Sequence, residues 1–201
     1  GVPALRGAVA GLYARDHGLS VGADQVLVTH GGKQALYMLM QALLDPGDEA
    51  VLLTPAWVSY LPQIGLAGGR AVCVPCEPRE GFQPDPDRVI AAFTDRTRLV
   101  ILNSPSNPTG CVIAPERLQA IDAAAEKRGI VVISDELYRS ITFGGVEAAC
   151  HGTLFDPTLS RTVLVDAVSK TWAMTGWRVG FVLGPRDLVG ALGRIQGHLT
   201  S

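Results

Sequence analysis

One lysine and one arginine share a segment that otherwise holds a single charged residue: Asp166-Ala-Val-Ser-Lys170-Thr-Trp-Ala-Met-Thr-Gly-Trp-Arg178-Val-Gly180. Short apolar, β-branched runs flank it, Thr162-Val-Leu-Val165 before and Val179-Gly-Phe-Val-Leu183 after, each fit to be a buried strand. A lysine set among Val, Ala, Trp and Met is costly to desolvate while protonated, which favours the free amine. A free amine can attack a carbonyl and form a Schiff base. An arginine keeps its charge and offers a planar fork suited to a phosphate. A ligand that uses both is a phosphorylated aldehyde, and pyridoxal 5′-phosphate is one. Two ordinary surface charges on a loop are the plainer explanation of these residues taken alone.

Other segments carry groups that could serve the same ligand. In His30-Gly31-Gly32-Lys33-Gln34 the small residues would let a phosphate reach the free N–H groups of a helix's first turn, where the dipole favours an anion. It is not a P-loop, because Gln rather than Ser or Thr follows the lysine, and a tight turn explains it equally well. Trp57, in Pro55-Ala-Trp57, reads by itself as a core tryptophan. Asn103-Ser-Pro-Ser-Asn107-Pro108-Thr109-Gly110 fits a type I turn over its last four residues. In Asp135-Glu136-Leu137-Tyr138 the first carboxylate ends a buried run and must find a partner or become neutral. A protonated pyridine nitrogen is one such partner; the plainer role is a helix cap.

These segments share a position, since each follows an apolar run. The expected strands are Gln25–Thr29, Ala50–Thr54, Val72–Val74, Arg98–Leu102, Ile130–Ile133, Thr162–Val165 and Val179–Leu183. Between them the 3.6-residue period and the Pro and Gly punctuation predict helices. These cover Pro3 to His17, with Leu5, Val9, Leu12 and Tyr13 on one face, then Ala35–Leu44, a stretch towards Ala67 and Asp87–Phe93. Pro115–Arg128 and a last one from about Arg186 complete the set. Continuous apolar strands alternating with helices predict an α/β fold, a mostly parallel sheet with helices on both faces, in the form of an α/β/α sandwich. Such sheets bind ligands beyond the carboxyl ends of their strands, where the candidate residues lie.

With 201 residues, nearly half of them hydrophobic, the chain can bury a core and is expected to be one domain. A net charge of −2 gives no basic field, so nucleic acid is not an expected partner. No apolar run reaches the roughly 20 residues that span a bilayer, and no signal-peptide pattern opens the chain, which begins at Gly1. Cys73 and Cys76 form a CxxC without a second such pair, so a zinc site would lack ligands and no metal is expected. The four cysteines are expected to be buried, reduced thiols of a cytoplasmic protein. No G-x-G-x-x-G follows the first strand and no G-x-S-x-G appears, which disfavours a nicotinamide-binding Rossmann protein and a serine hydrolase.

Ser169-Lys170 and Ala173-Met-Thr-Gly-Trp-Arg178-Val-Gly180 resemble the cofactor-lysine signature of the class I and II aminotransferases, the fold-type-I family of pyridoxal-phosphate enzymes. Gly31-Gly32-Lys33-Gln34-Ala35-Leu36 is similar to the bacterial aspartate-aminotransferase branch. The resemblance implies a transaminase moving an amino group between an L-amino acid, aspartate-type favoured, and a 2-oxo acid. It implies that Lys170 is covalent anchor and general acid/base, that Asp135 pairs with the pyridine nitrogen, and that Tyr138 and Asn107 bond the ring oxygen. Trp57 would stack on the ring; Gly31, Gly32, Lys33, Ser169 and Arg178 would surround the phosphate. Trp57 and Lys33 could also receive a substrate's distal carboxylate.

Two departures from the family stand out. Ala167 replaces a serine that adds a phosphate contact, and family members are about twice as long. Residues 1–201 are therefore expected to be the cofactor-binding large domain, without the N-terminal arm, the small C-terminal domain and its carboxylate-binding arginine. A homodimer is expected of the full-length protein. The rival expectations are another fold-type-I enzyme, such as a carbon–sulfur β-lyase, and a non-catalytic remnant that binds the cofactor.

Overall fold

The apolar runs expected to be strands all enter one sheet. In the computed structural model, which describes residues 1–200, seven strands lie side by side. Their order is β1 (Val26–Thr29), β7 (Gly180–Leu183), β6 (Thr162–Ala167), β5 (Val131–Asp135), β4 (Thr97–Asn103), β2 (Glu49–Thr54) and β3 (Arg70–Pro75). From β6 across to β3 all neighbours are parallel, and β7 runs antiparallel to both β6 and β1. The sheet is therefore mostly parallel, with one reversed strand. Gly180 is the pivot of that reversal, facing Thr29 on one side and Ala167 on the other.

Helices cover both faces, as strands apolar on both sides require. Leu99, Ile101, Ile133, Val163, Val165 and Val182 pack against α2 (Gly31–Leu43), α3 (Tyr60–Leu66) and α8 (Arg186–Leu199). Their sequence neighbours Val100, Leu102 and Val132 point the other way, onto α4 (Pro86–Ala91) and α5 (Pro115–Lys127). Leu164 and Phe181 on that second face meet α1 (Pro3–His17). The result is the expected α/β/α sandwich. Gly18 closes α1 in the left-handed region at φ 65°, where glycine is free of the Cβ penalty. Leu5, expected on the buried face of α1, is exposed, while Val9 and Tyr13 are buried.

Several boundaries differ from expectation. α2 begins at Gly31 rather than Ala35, so the glycine pair lies inside the helix's first turn and both residues are buried. β5 runs on to Asp135, which makes that carboxylate the last residue of a strand. Two short helices follow from tertiary contacts and not from periodicity: α6 (His151–Phe155) and α7 (Val168–Thr171), the latter carrying Lys170. The turn expected over Asn107–Gly110 is one residue wider, closed by the Gly110 amide on the Ser106 carbonyl at 2.8 Å, with Gly110 at φ 72°. Of the cysteines expected to be buried, only Cys150 is; Cys76 and Cys111 are half-buried, and Cys73 is exposed on β3 at the sheet edge. No helix among the described residues is long and apolar enough to cross a membrane.

Candidate active site

The carboxyl ends of the strands open into one cleft, walled by α2, the turn after β5 and the segment that follows β6. Nine of the residues singled out in the sequence line it: Gly32, Lys33, Trp57, Asn107, Asp135, Tyr138, Ser169, Lys170 and Arg178. Gly31 lies just beneath, where a Cβ would come within 2.7 Å of the Arg178 guanidinium. Ala167 is buried and pairs with Gly180 in the sheet, outside the cleft lining.

Asp135 reaches the cleft because it ends β5 on the face that carries Ile133, above α2 and α3. It is buried, and its Oδ2 accepts a 2.5 Å hydrogen bond from the Tyr60 hydroxyl while Oδ1 accepts from the Leu137 amide at 3.3 Å. Burial pushes its carboxyl up to about 6; the two hydrogen bonds hold it lower than burial alone would, and the charge of Glu136 adds to the rise. Burial and the same carboxylate raise the Tyr60 phenol well above its ordinary value, so Tyr60 stays a donor. The helix-cap role is in part real, because the Leu137 amide is bonded, but a single turn and not a helix follows.

Lys170 approaches from the neighbouring strand through α7. It is half-buried, with Nζ 5.3 Å from the centre of the Tyr138 ring. The enclosure expected from its apolar neighbours is incomplete: Trp172 and Trp177 turn outward, 43% and 71% exposed. Opposite, Trp57 stands edge-on to Tyr60 at 5.4 Å, and Lys33 Nζ sits 5.2 Å from the Trp57 ring.

The third wall is built for an anion. His30, at the cap position of α2, makes no side-chain cap, which leaves first-turn amides of a thirteen-residue helix unbonded by it. Arg178 lies over Gly31, held by a 2.9 Å bond from Nη1 to the Thr175 carbonyl, with its backbone at φ 53°. A non-glycine residue in that region is strained, and such strain concentrates at ligand sites. Leu137 packs against Gly32, where a Cβ would come within 3.0 Å of its Cδ1.

Two cleft residues escaped the sequence reading. Tyr60 lies in the helical stretch expected towards Ala67, and only its place three residues after Trp57 marks it. Asn103 looked like the edge of a turn. It braces the site, donating from Nδ2 to the Asp135 carbonyl at 3.0 Å and accepting from the Asn107 amide at 2.8 Å.

Residues 1–201 match the sequence profile of the family described as aminotransferase class I and II. The chain belongs to that family. It is 41% identical to the aspartate aminotransferase of Geobacillus stearothermophilus, with 100% of this chain and 51% of the relative aligned. Among solved structures it is similar to the aspartate aminotransferase from Thermus thermophilus with maleate, at TM-score 0.93 and 42% identity, covering 98% of this chain and 51% of that one. It is also similar to that from Rhizobium meliloti, at TM-score 0.95 and 36% identity, covering 100% and 50%. The chain thus spans about half the length of the curated relatives it matches. As a member of the class I and II aminotransferases, it carries its candidate residues at the strand ends that its α/β fold directs into one cleft.

The residues present fit pyridoxal phosphate. Asp135 is a buried carboxylate facing the cleft without a basic side chain among its hydrogen-bond partners, the environment that a protonated ring nitrogen would complete. Gly31, Gly32 and Arg178 form an anion cradle that a side chain at Gly31 would fill.

Proposed function

We propose that this chain is the cofactor-binding domain of a pyridoxal-phosphate-dependent transaminase that moves an amino group between an L-amino acid and a 2-oxo acid. One observation carries the proposal. An amine and a buried carboxylate, Lys170 and Asp135, come from adjacent strand ends into the cleft that also holds the anion cradle.

When bound, pyridoxal phosphate supplies an aldehyde carbon and a cationic ring that accepts electrons from a substrate's α-carbon. Lys170 would hold it covalently and, once freed, its Nζ would take and return the α-proton. Asp135, ionised, would hold the ring nitrogen protonated. Tyr138 and Asn107 would bond the ring oxygen, with Asn107 fixed by Asn103. Trp57 would cover one face of the ring. Gly31, Gly32, Ser169 and Arg178 would bind the phosphate, with Ala167 contributing no hydroxyl.

Aspartate-type substrates are favoured, because the exposed Lys33 ammonium beside Trp57 is free to meet a second carboxylate. The similar Thermus thermophilus structure holds maleate, a dicarboxylate, which supports this choice. A cytoplasmic setting and a homodimer of the full-length protein accompany the assignment, on the strength of the family resemblance.

The test is a visible absorbance spectrum of the chain with pyridoxal phosphate, before and after borohydride, followed by mapping of the modified residue. A band bleached by borohydride and fixed on Lys170 is expected, and Lys170→Ala should abolish it. A label on another lysine, or none, overturns the proposal. In the full-length protein, faster turnover of leucine than of aspartate would reject the substrate choice, and pyruvate release without an amino acceptor would point instead to a β-lyase.

A further inference from the structure

Behind the cleft, on the α1 face of the sheet, lies a second set of charges that the chemistry above does not use. Arg139 follows Tyr138 directly, and its side chain is 9% exposed. Its Nη1 meets Glu136 Oε2 at 2.7 Å, and its Nη2 lies 3.7 Å from Asp166 Oδ2 and 3.5 Å from the Tyr13 hydroxyl. The guanidinium also covers the Tyr13 ring at 5.0 Å. Tyr13 donates to Asp166 Oδ2 at 2.9 Å, and Asp166 Oδ1 accepts from the Ala167 amide at 2.7 Å. Glu136 Oε1 accepts from Ser134 Oγ and the His151 amide, so both carboxylates are engaged at both oxygens.

The position of this cluster matters more than its strength. Glu136 and Arg139 belong to the turn that presents Tyr138, and Asp166 sits on the strand that feeds Lys170 into the cleft. One guanidinium therefore joins the two segments whose ends are Tyr138 and Lys170, the ring and the amine 5.3 Å apart. The planar fork puts one nitrogen on Glu136 and the other towards Asp166 and Tyr13, a spread that the single nitrogen of a lysine ammonium does not offer. Burial of a planar, multiply bonded group also leaves it little freedom to shift.

We infer that Arg139 is a positioning residue, a buried clamp that sets the distance between the Lys170 amine and the Tyr138 ring by holding Glu136, Asp166 and Tyr13 together. The inference deepens the function proposed above and rests on it for the meaning of that distance. Burial pushes the Asp166 carboxyl up to about 7, and the Ala167 amide, Arg139 and Tyr13 hold it lower than burial alone would.

The experiment compares Arg139→Ala, Arg139→Lys and Asp166→Asn with the unaltered chain by two measurements. The first is amide hydrogen exchange at Ala167 and Val168 without cofactor; the second is the pH midpoint of the visible band after loading with pyridoxal phosphate. In all three variants, exchange at Ala167 should rise by about tenfold or more while β4 keeps its protection. The midpoint should shift by about half a pH unit or more. A variant that melts earlier yet keeps the original midpoint and the original exchange at Ala167 would show an ordinary structural ion pair and overturn the inference. If Arg139→Ala fails to fold, Arg139→Lys decides: full restoration of both signals by the lysine would overturn it, since the fork would then be dispensable. Should the unaltered chain give no visible band, the proposed function falls, and exchange at Ala167 alone decides whether the clamp exists.

Discussion

Asp135 shows how one residue's surroundings set a measurable property. Its carboxyl is raised to about 6 because no cation in contact offsets its burial. A carboxyl raised on folding stabilises the folded chain below its unfolded value, near 3.8, and that stabilisation is lost as pH rises through about 6. A ligand that needs the carboxylate ionised has the opposite dependence. Pyridoxal phosphate affinity, measured by equilibrium dialysis, should therefore fall below about pH 6, with Asp135 taking up the proton. Asp135→Asn should remove that step and weaken binding at pH 8. Tyr60→Phe removes a hydrogen bond that lowers the carboxyl, so it should move the same step to higher pH. An unchanged step in the Phe variant would show that the phenol does not hold the carboxylate.

At the scale of elements, α2 and β7 meet so closely that only glycine fits. A Cβ on Gly180 would lie 2.4 Å from the Gly31 carbonyl carbon and 2.6 Å from the Gly32 nitrogen, all backbone atoms that cannot swing aside. Gly180→Ala should push the first turn of α2 off the sheet. Phosphate or pyridoxal phosphate affinity should then drop by tenfold or more, about 1.4 kcal/mol, alongside a lower melting temperature. Normal affinity in the folded variant would show that the turn does not depend on this contact. The strands were legible in the sequence because both faces are covered, which makes Leu99–Leu102 and Thr162–Val165 apolar without alternation. The direction of β7 was not, since an apolar run reads the same from either end. Nor were α6 and α7 legible, being helices of five and four residues, too short to show a period. Tyr60 and Asn103 were missed for a related reason: their roles exist only once β4, β5 and α3 are brought together.

Across the whole molecule, stability rests on side chains sealed between sheet and helices. Ile133 is fully buried in the larger cluster, between β4, β6 and α2. Ile133→Ala should cost about 2–5 kcal/mol in urea unfolding, and a loss well under 1 kcal/mol would show the site relaxing around the gap. The same replacement should leave the candidate residues in place, because they lie past the strand ends and not within the core. β7 gives the molecule one more property, that of a gauge. It is wedged between β1 and β6, so the tips of those two strands stand two strand spacings apart, about 9–10 Å. That gap is backbone, and no exchange of side chains can stretch it. A ligand held at both tips would have to match that spacing in length.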